Sequence, residues 1–510
     1  MNILLVPTRS LTHLPSRPHV RGATLGALSV ALLLGGCQVD QKKEVAEYRK
    51  LLDAAVAPPS TQPAGPLTLE HALRAANQVN EHLGVVGEDY LQALILKNRA
   101  TAAFLPTVQF QPSWTVEQRP RNNAGAVSTL TTTGGDSATF RAAPANVTTV
   151  STGYRPLGSS ALQKFEAPVT GQMNLFRGFG DVANLRVANA TIAQRKQELL
   201  NAQATVLVDV AQVYYQVLRS EQVRDVLRNS INLQEARVHD EEQKLANGLS
   251  TNLAVAQVRA QLDATRATLA QTEGDVINGR TTLGYLIGEP TDTVMLTSEI
   301  YVPDIRPAVT EFERLSLERR QDLLAARAQV TAARAQVDVA VSQYYPSVNL
   351  NVEGFLYREY YADASKWSAI LSANIPIFSA GLIEQDVRAA WSRYRQALLI
   401  ESDTRRSIVR DVQMSYQNLL TAERRIVELQ SGLAAADEAL KQAQSALANN
   451  LGIVLDVLTA QDQQLNSQLQ LTSAQFDRSV YYLDLLRTTG ELPLHLPTRT
   501  VATTVNSTQP

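Results

Sequence analysis

Residues 205–218 read TVLVDVAQVYYQVL, and residues 407–420 read SIVRDVQMSYQNLL. Adding 202 to a position in the first stretch lands on its counterpart in the second, taking Asp209-Val210 to Asp411-Val412, Tyr214 to Tyr416 and Leu218 to Leu420. The same shift carries Phe176 to Phe378, Arg186 to Arg388, Leu245-Ala246-Asn247 to Leu447-Ala448-Asn449, and Gly288-Glu289 to Gly490-Glu491. Upstream the shift is 240, which takes Leu83 to Leu323, Ala100 to Ala340 and Pro106-x-Val108 to Pro346-x-Val348. The difference, 240 − 202 = 38, is the length of an insertion in the first copy between Pro106 and Phe176. A duplicated unit with one variable loop predicts a symmetrical structural object, with repeats over 67–290 and 291–492.

Between Pro168 and Pro290, and again between Pro376 and Pro493, there is no proline. Apolar residues fall at helical spacing there: Val206, Val210, Val213 and Val217 in the first repeat, Ile408, Val412, Ser415 and Leu419 in the second. Each stretch is interrupted once, at Ala246-Asn247-Gly248-Leu249-Ser250-Thr251 and at Ala448-Asn449-Asn450-Leu451-Gly452. Asn and Gly accept left-handed backbone and Ser or Thr caps the next helix. The segments 179–288 and 381–490 therefore read as helical hairpins with tips near 247–251 and 449–453. The 69 residues from Phe179 to Gly248 make an arm of about 100 Å at 1.5 Å per residue. Such an arm must bury its apolar stripe against other arms, as in a coiled coil or helical cylinder. A further helical pattern opens at Leu67-Thr68-Leu69-Glu70, with Thr68 as its N-cap, and runs to about Ala103.

The intervening segments alternate. Val108, Phe110, Trp114 and Val116 interleave with polar residues, as do Val169, Met173 and Leu175; Val348, Leu350 and Val352; and Trp367, Ala369, Leu371, Ala373 and Ile375. Hairpins over 104–176 and 346–378, apolar on one face and polar on the other, match strands of a membrane barrel. Trp114, Tyr154, Phe355, Tyr357, Tyr360, Tyr361 and Trp367 gather near the hairpin tops, and Phe104, Phe176, Tyr344, Tyr345 and Phe378 near the bases, like two interfacial belts. Residues 118–164, rich in Thr, Ser, Ala and Gly, read as an exposed, mobile extracellular loop. Four strands cannot close a barrel, and open edges in lipid are forbidden. The chain must oligomerise; three copies would supply twelve strands, although the sequence does not choose three over two or four.

Arg9, Arg17 and Arg21 precede an apolar run from Ala23 to Leu34 that ends in Leu34-Gly35-Gly36-Cys37. This reads as a lipoprotein signal peptide over 1–36, whose apolar run is too short to span a bilayer as a helix. Cys37, the single cysteine, is the lipidation site, and Gln38 after it lacks the aspartate of inner-membrane retention, which points to an outer membrane. A lipidated tether over 37–66 and a flexible tail over 493–510 complete the chain. The net charge of −2, with 19% charged residues, argues against a nucleic-acid partner. Six scattered histidines and four methionines offer no metal site or metal track. No phosphate loop or nucleophile elbow is present, so neither enzymatic activity nor a cofactor beyond the lipid on Cys37 is expected. A non-conducting trimeric lipoprotein stalk or adhesin would explain the helices and the lipid, but not the four alternating strands.

These features resemble the TolC-like outer membrane efflux protein family, and the lipobox is similar to its lipidated, OprM-like branch. The likeness rests on Leu67-Thr68-Leu69-Glu70-x-Ala72-Leu73, Phe104-Leu105-Pro106, Tyr345-Pro346-Ser347, Leu175-Phe176-x-Gly178, Ile377-Phe378-x-x-Gly381 and Asp456-Val457-Leu458-Thr459-Ala460-Gln461. It implies an α+β membrane protein whose homotrimer joins a twelve-stranded outer-membrane barrel to a helical periplasmic tunnel. The implied partners are a periplasmic adaptor (membrane fusion protein), an inner-membrane transporter and outer membrane lipid. The implied cargo is small molecules, drugs or toxic compounds, and a type I protein secretion duct would need the same build. Adaptor contact is implied at Asn247, Gly248, Leu249, Ser250, Asn450, Leu451 and Gly452. A periplasmic gate is implied at Leu455, Asp456 and Thr459: Thr459 stands where the family commonly has an acid, and Asp456 lies three residues earlier, close to one helical turn.

Overall fold

The computed structural model describes residues 41–54, 66–117, 162–297, 302, 307–358, 366–449 and 451–491. Its elements run α1 (Gln41–Ala54), α2 (Leu69–Val79), α3 (Glu81–Ala102), β1 (Thr107–Phe110), β2 (Ser113–Glu117), β3 (Leu162–Arg177), α4 (Gly180–Ala246), α5 (Asn252–Ile287), α6 (Val309–Arg319), α7 (Gln321–Ser342), β4 (Ser347–Arg358), β5 (Trp367–Asn374), α8 (Leu382–Ala448) and α9 (Val454–Thr488). Shifted by 240, the bounds of α2 and α3 are those of α6 and α7; shifted by 202, the bounds of α4 are those of α8.

With no proline to remove a hydrogen bond, α4 and α8 each run unbroken for 67 residues. Both start where a strand-side segment turns through two consecutive left-handed residues, Gly178-Phe179 in one repeat and Ala380-Gly381 in the other. Side by side, the helices form a wall in the order α3, α4, α7, α8 next to the sheet and α5, α4, α9, α8 towards the tips. Helix α8 is thus a lateral edge. It buries one stripe through Ile408, Val412, Ser415, Leu419 and Ala422, takes α6 alongside it, and leaves the opposite face uncovered by the described residues. The main core lies where α2, the start of α3, α4 and α5 meet, around Leu73, Leu83, Leu207, Tyr214, Tyr215 and Leu283. There the Tyr214 hydroxyl donates to the Leu67 or Thr297 carbonyl, each at 2.7 Å, and accepts the Thr297 N–H at 3.0 Å.

Two expectations change. Part of the 37–66 tether is not a free leader: 41–54 fold into α1, which docks on α3 with Tyr48 and Leu52 buried. Tyr48 and Leu52 lie four residues apart and so share one face of an otherwise polar helix. Buried Gln203 holds α1 in place, its Nε2 donating to the Leu52 carbonyl at 2.9 Å and to Asn77 Oδ1 at 2.7 Å. The helix expected from Leu67 to Ala103 is two helices. Thr68 does cap the first, accepting the His71 N–H. Asn80 then breaks the run with ψ 117°, and its side chain accepts the Leu83 N–H at 3.3 Å to start α3.

The sheet is antiparallel, in the order β1/β2, β3, β4, β5. β1 and β2 form one passage along β3, interrupted at Gln111-Pro112 without loss of register. Pro168, in the interior of β3, sits at a register shift against β4, where a missing N–H is tolerated. Most of the expected loop 118–164, including Tyr154, lies outside the described residues, and β3 already begins at Leu162.

Candidate functional site

The pairing registers sort the side chains of the sheet into two faces. One face carries Val108, Phe110, Trp114 and Val116 beside Phe165, Ala167, Val169 and Met173, then Val348, Leu350, Val352 and Tyr357, then Trp367, Ala369, Leu371 and Ala373. The other face carries Gln109, Ser113 and Thr115, then Thr170, Gln172 and Asn174, then Asn349, Asn351 and Glu353, then Ser368, Ser372 and Asn374. Ile370, opposite Asn351, is an apolar exception on the polar face. On the apolar face the Phe165 and Tyr357 rings meet at 5.7 Å. On the polar face Arg358 Nε donates to Glu166 Oε1 at 3.0 Å, and the guanidinium lies over the Phe355 ring. The apolar face is open: Trp114 is 69% exposed and Leu371 65%. No described helix is long and apolar enough to cross a membrane. An apolar sheet face backed by a polar one is what a strand wall needs to separate hydrocarbon from water.

At the far end of the arms, the first tip closes by backbone bonds. Gly248, at φ 74°, donates to the Leu245 carbonyl at 2.9 Å, and Leu249 to the Lys244 carbonyl at 2.8 Å, a left-handed helix stop. Thr251 caps α5 by accepting the Ala254 N–H at 3.1 Å. The sequence reading missed a lock behind this turn. Glu241 is buried on α4 and accepts the Ser250 hydroxyl, and Lys244 Nζ lies 3.6 Å from it and 2.7 Å from Asp240. The hydrogen bond to Asp240 holds the Lys244 ammonium above the ordinary lysine range, whereas burial pushes the nearby Arg237 guanidinium down. In a stretch rich in charge, Glu241 reads like any solvated acid; only its approach to Ser250 distinguishes it.

The second tip has no such lock. Shifted by 202, the positions of Arg237, Glu241, Lys244 and Ser250 hold Ala439, Ala443, Ala446 and Gly452. Leu451 donates to the Ala446 carbonyl at 2.8 Å and is 84% exposed; Asn450 lies outside the described residues. Asp456 turns back so that a carboxylate oxygen accepts the Ile453 N–H at 3.1 Å, half of a capping box, since isoleucine offers no side-chain acceptor. The Thr459 hydroxyl donates to the Leu455 carbonyl at 2.8 Å. Leu455, Asp456 and Thr459 therefore share one exposed strip at the mouth of α9, above buried Val457 and Leu458. The structure brings the three expected gate residues together, with Asp456 already serving as a helix-start acid. Cys37 lies outside the described residues.

The sequence profile of the family described as Outer membrane efflux protein matches residues 98–289 and 314–491. The chain is 25% identical over 323 residues to the probable outer membrane lipoprotein SilC of Salmonella typhimurium, covering 61% of this chain and 69% of that one. It is 24% identical over 365 residues to the outer membrane efflux protein BepC of Brucella suis, covering 68% and 79%. The crystal structure of the outer membrane protein VceC from Vibrio cholerae shares the fold at a TM-score of 0.68 and 20% identity, over 83% of this chain and 96% of that one.

Proposed function

This chain belongs to the outer membrane efflux protein family, and from that premise we propose that three copies close their sheets into one twelve-stranded barrel and their helical walls into one periplasmic tunnel. As a member, the protein is an outer membrane channel component of an efflux system. The observation that carries the closed duct is the sheet itself. It has one apolar face, one polar face and two open edges, and in lipid every backbone polar group must be satisfied. The helical wall calls for a neighbour on different grounds, since α8 leaves Leu399, Met414 and Val427 exposed.

In this reading the cargo is small molecules, drugs or toxic compounds, and the tips at 247–251 and 449–453 receive a periplasmic adaptor that links the duct to an inner-membrane transporter. Leu455, Asp456 and Thr459 narrow the entrance. Cys37 carries the lipid, and the geometry of α1 supports that placement. Tyr48 packs on Gly87, which lies 102 − 87 = 15 residues below the sheet-side end of α3, about 22 Å at helical rise. Leu52 is held further down, by Asn77 and Gln203, so α1 climbs towards the sheet with its N-terminus leading. Seven helical residues from Tyr48 to Gln41 add about 10 Å and leave about 12 Å to the base of the sheet, within the reach of the four residues from there to Cys37.

The test is planar-bilayer conductance of the purified full-length protein, with particle mass measured on the same sample. Discrete conducting steps from a particle of three chains are expected. A folded particle that never conducts, even after Leu455→Ala and Asp456→Ala, would instead favour a lipoprotein stalk.

A further inference from the structure

The protein contains one junction that is already closed. β3, the returning strand of the first repeat, pairs with β4, the leading strand of the second, with Val169 opposite Gly354, Thr170 opposite Glu353 and Met173 opposite Leu350. β5 is the returning strand of the second repeat and β1/β2 the leading passage of the first, and both end the sheet with an open edge. The shifts that superpose the helices, 202 for returning strands and 240 for leading ones, carry the closed junction onto the open one. Val169–Gly354 becomes Leu371–Trp114, Thr170–Glu353 becomes Ser372–Ser113, and Met173–Leu350 becomes Ile375–Phe110. Below the register shift of the closed junction, Phe176–Val348 becomes Phe378–Val108.

We propose that the β5 edge of one copy docks on the β1/β2 edge of the next copy in this register, with Leu371 opposite Trp114, Ser372 opposite Ser113 and Ile375 opposite Phe110 of the next copy. The inference rests on the trimeric barrel above and adds to it which edge meets which, and at which residues.

Two observations independent of the shifts agree. First, the strand faces match: Leu371 meets Trp114 and Ile375, next in the same alternation, meets Phe110, while Ser372 meets Ser113. A slip of one residue would set the apolar row of one copy against the polar row of the next. Phe378 is 88% exposed in the single copy, and a register shift like the one before Phe176 would cover it with Val108 of its neighbour.

Second, the free backbone groups coincide. The Gln111 N–H is spent on the Pro168 carbonyl within the copy, so Phe110, Pro112 and Trp114 turn their backbone to the open edge. The Phe355 N–H is spent on the Lys366 carbonyl, so by the same alternation Trp367, Ala369, Leu371 and Ala373 face outward on β5. The proposed register pairs these two sets with each other. Pro112, which brings no N–H, leaves one rung unmade and blunts the edge of an unassembled copy.

Ser372 and Ser113 fall between these outward residues. They form a non-hydrogen-bonded pair, the closer kind, at a Cα separation of roughly 4.5 Å, within disulfide reach. The native chain has one cysteine, Cys37, so engineered pairs act on a clean background.

The experiment oxidises full-length Ser113→Cys/Ser372→Cys in membranes and counts covalent species on non-reducing gels. Ser113→Cys/Ile370→Cys and Ser113→Cys/Asn374→Cys report slips of two residues, which the matching of faces alone would allow. The proposed pair is expected to cross-link into covalent trimers about ten times more efficiently than either slipped pair, whose diagonal Cα atoms lie roughly 7–8 Å apart. A slipped pair that cross-links best overturns the register. Absence of cross-linking in all three, from a particle whose mass is that of three chains, overturns it while leaving the trimer standing. A particle of one chain overturns both.

Discussion

Replacing Gly87 by alanine should move two parts of this protein in opposite directions. Within α3, glycine costs about 1 kcal/mol relative to alanine, so the substitution strengthens the helix. A Cβ at Gly87, however, would lie 2.5 Å from Cδ2 of the Tyr48 ring, which must give way. Tyr48 is a buried anchor of α1, and losing most of its burial costs about 2 kcal/mol. That shifts the docked-to-free ratio of α1 about thirty-fold. Gly84, one turn earlier on the same helix, has nothing within 4 Å of its would-be Cβ and serves as the control. The assay is limited trypsin digestion at Lys42, Lys43 and Lys50 alongside a thermal melt of the body. Gly87→Ala should speed cleavage in α1 about thirty-fold without lowering the melting temperature of the body. Gly84→Ala should raise the melting temperature and leave α1 protected. Equal protection of α1 in both variants would refute the account of how the segment is held.

Tyr214→Phe removes the hydroxyl that donates to the Leu67 or Thr297 carbonyl and accepts from the Thr297 N–H, at a cost of about 1–3 kcal/mol, read as a lower melting temperature by calorimetry. Because the hydrogen bond to Asp240 raises the folded-state pKa of Lys244, the stability it contributes is complete below the unfolded lysine value and is lost as pH rises through the folded one. Asp240→Asn should therefore bring that alkaline loss to lower pH, seen as faster amine labelling of Lys244 by mass spectrometry near the ordinary lysine pKa. Leu455→Ala with Asp456→Ala should raise single-channel conductance and alter cation preference, while loss of the Asp456 cap costs about 1 kcal/mol at the start of α9. Unchanged conductance and preference would remove the gate from that strip.

Much of the architecture was legible because it is written twice. A shift that aligns Asp209 with Asp411 also aligns both ends of α4 and α8, since helix ends are set by local signals and these recur at the shifted positions. The strand faces were legible from alternation alone, and the first tip from Asn247-Gly248 and Thr251. What escaped depends on contacts far along the chain. α1 looks like a leader because its docking residues are few and their partners, Gly87 and Gln203, lie 39 and 151 residues beyond Tyr48 and Leu52. The break at Asn80 recurs in the fold at Arg320 but has no matching cap residue in the sequence, because Arg320 is held instead by a two-point contact with Asp322. Glu241 was hidden for the opposite reason: local pattern makes it one acid among many, and only the folded turn brings Ser250 to it.

The pairing of β3 with β4 also fixes an order of events. Glu166 meets Arg358 across 192 residues of chain, whereas α4 and α5 are joined by a turn and zip from their tip. Loop-closure entropy must be met before a distant contact is rewarded, so the hairpin arms form early and the middle of the sheet late. Throughout that interval the first hairpin waits with the β3 edge and its apolar face open beside finished helices. A chain delivered from its N-terminus thus carries sticky, strand-forming surface until its second half arrives, so truncation after α5 should lead to aggregation rather than to a smaller folded protein.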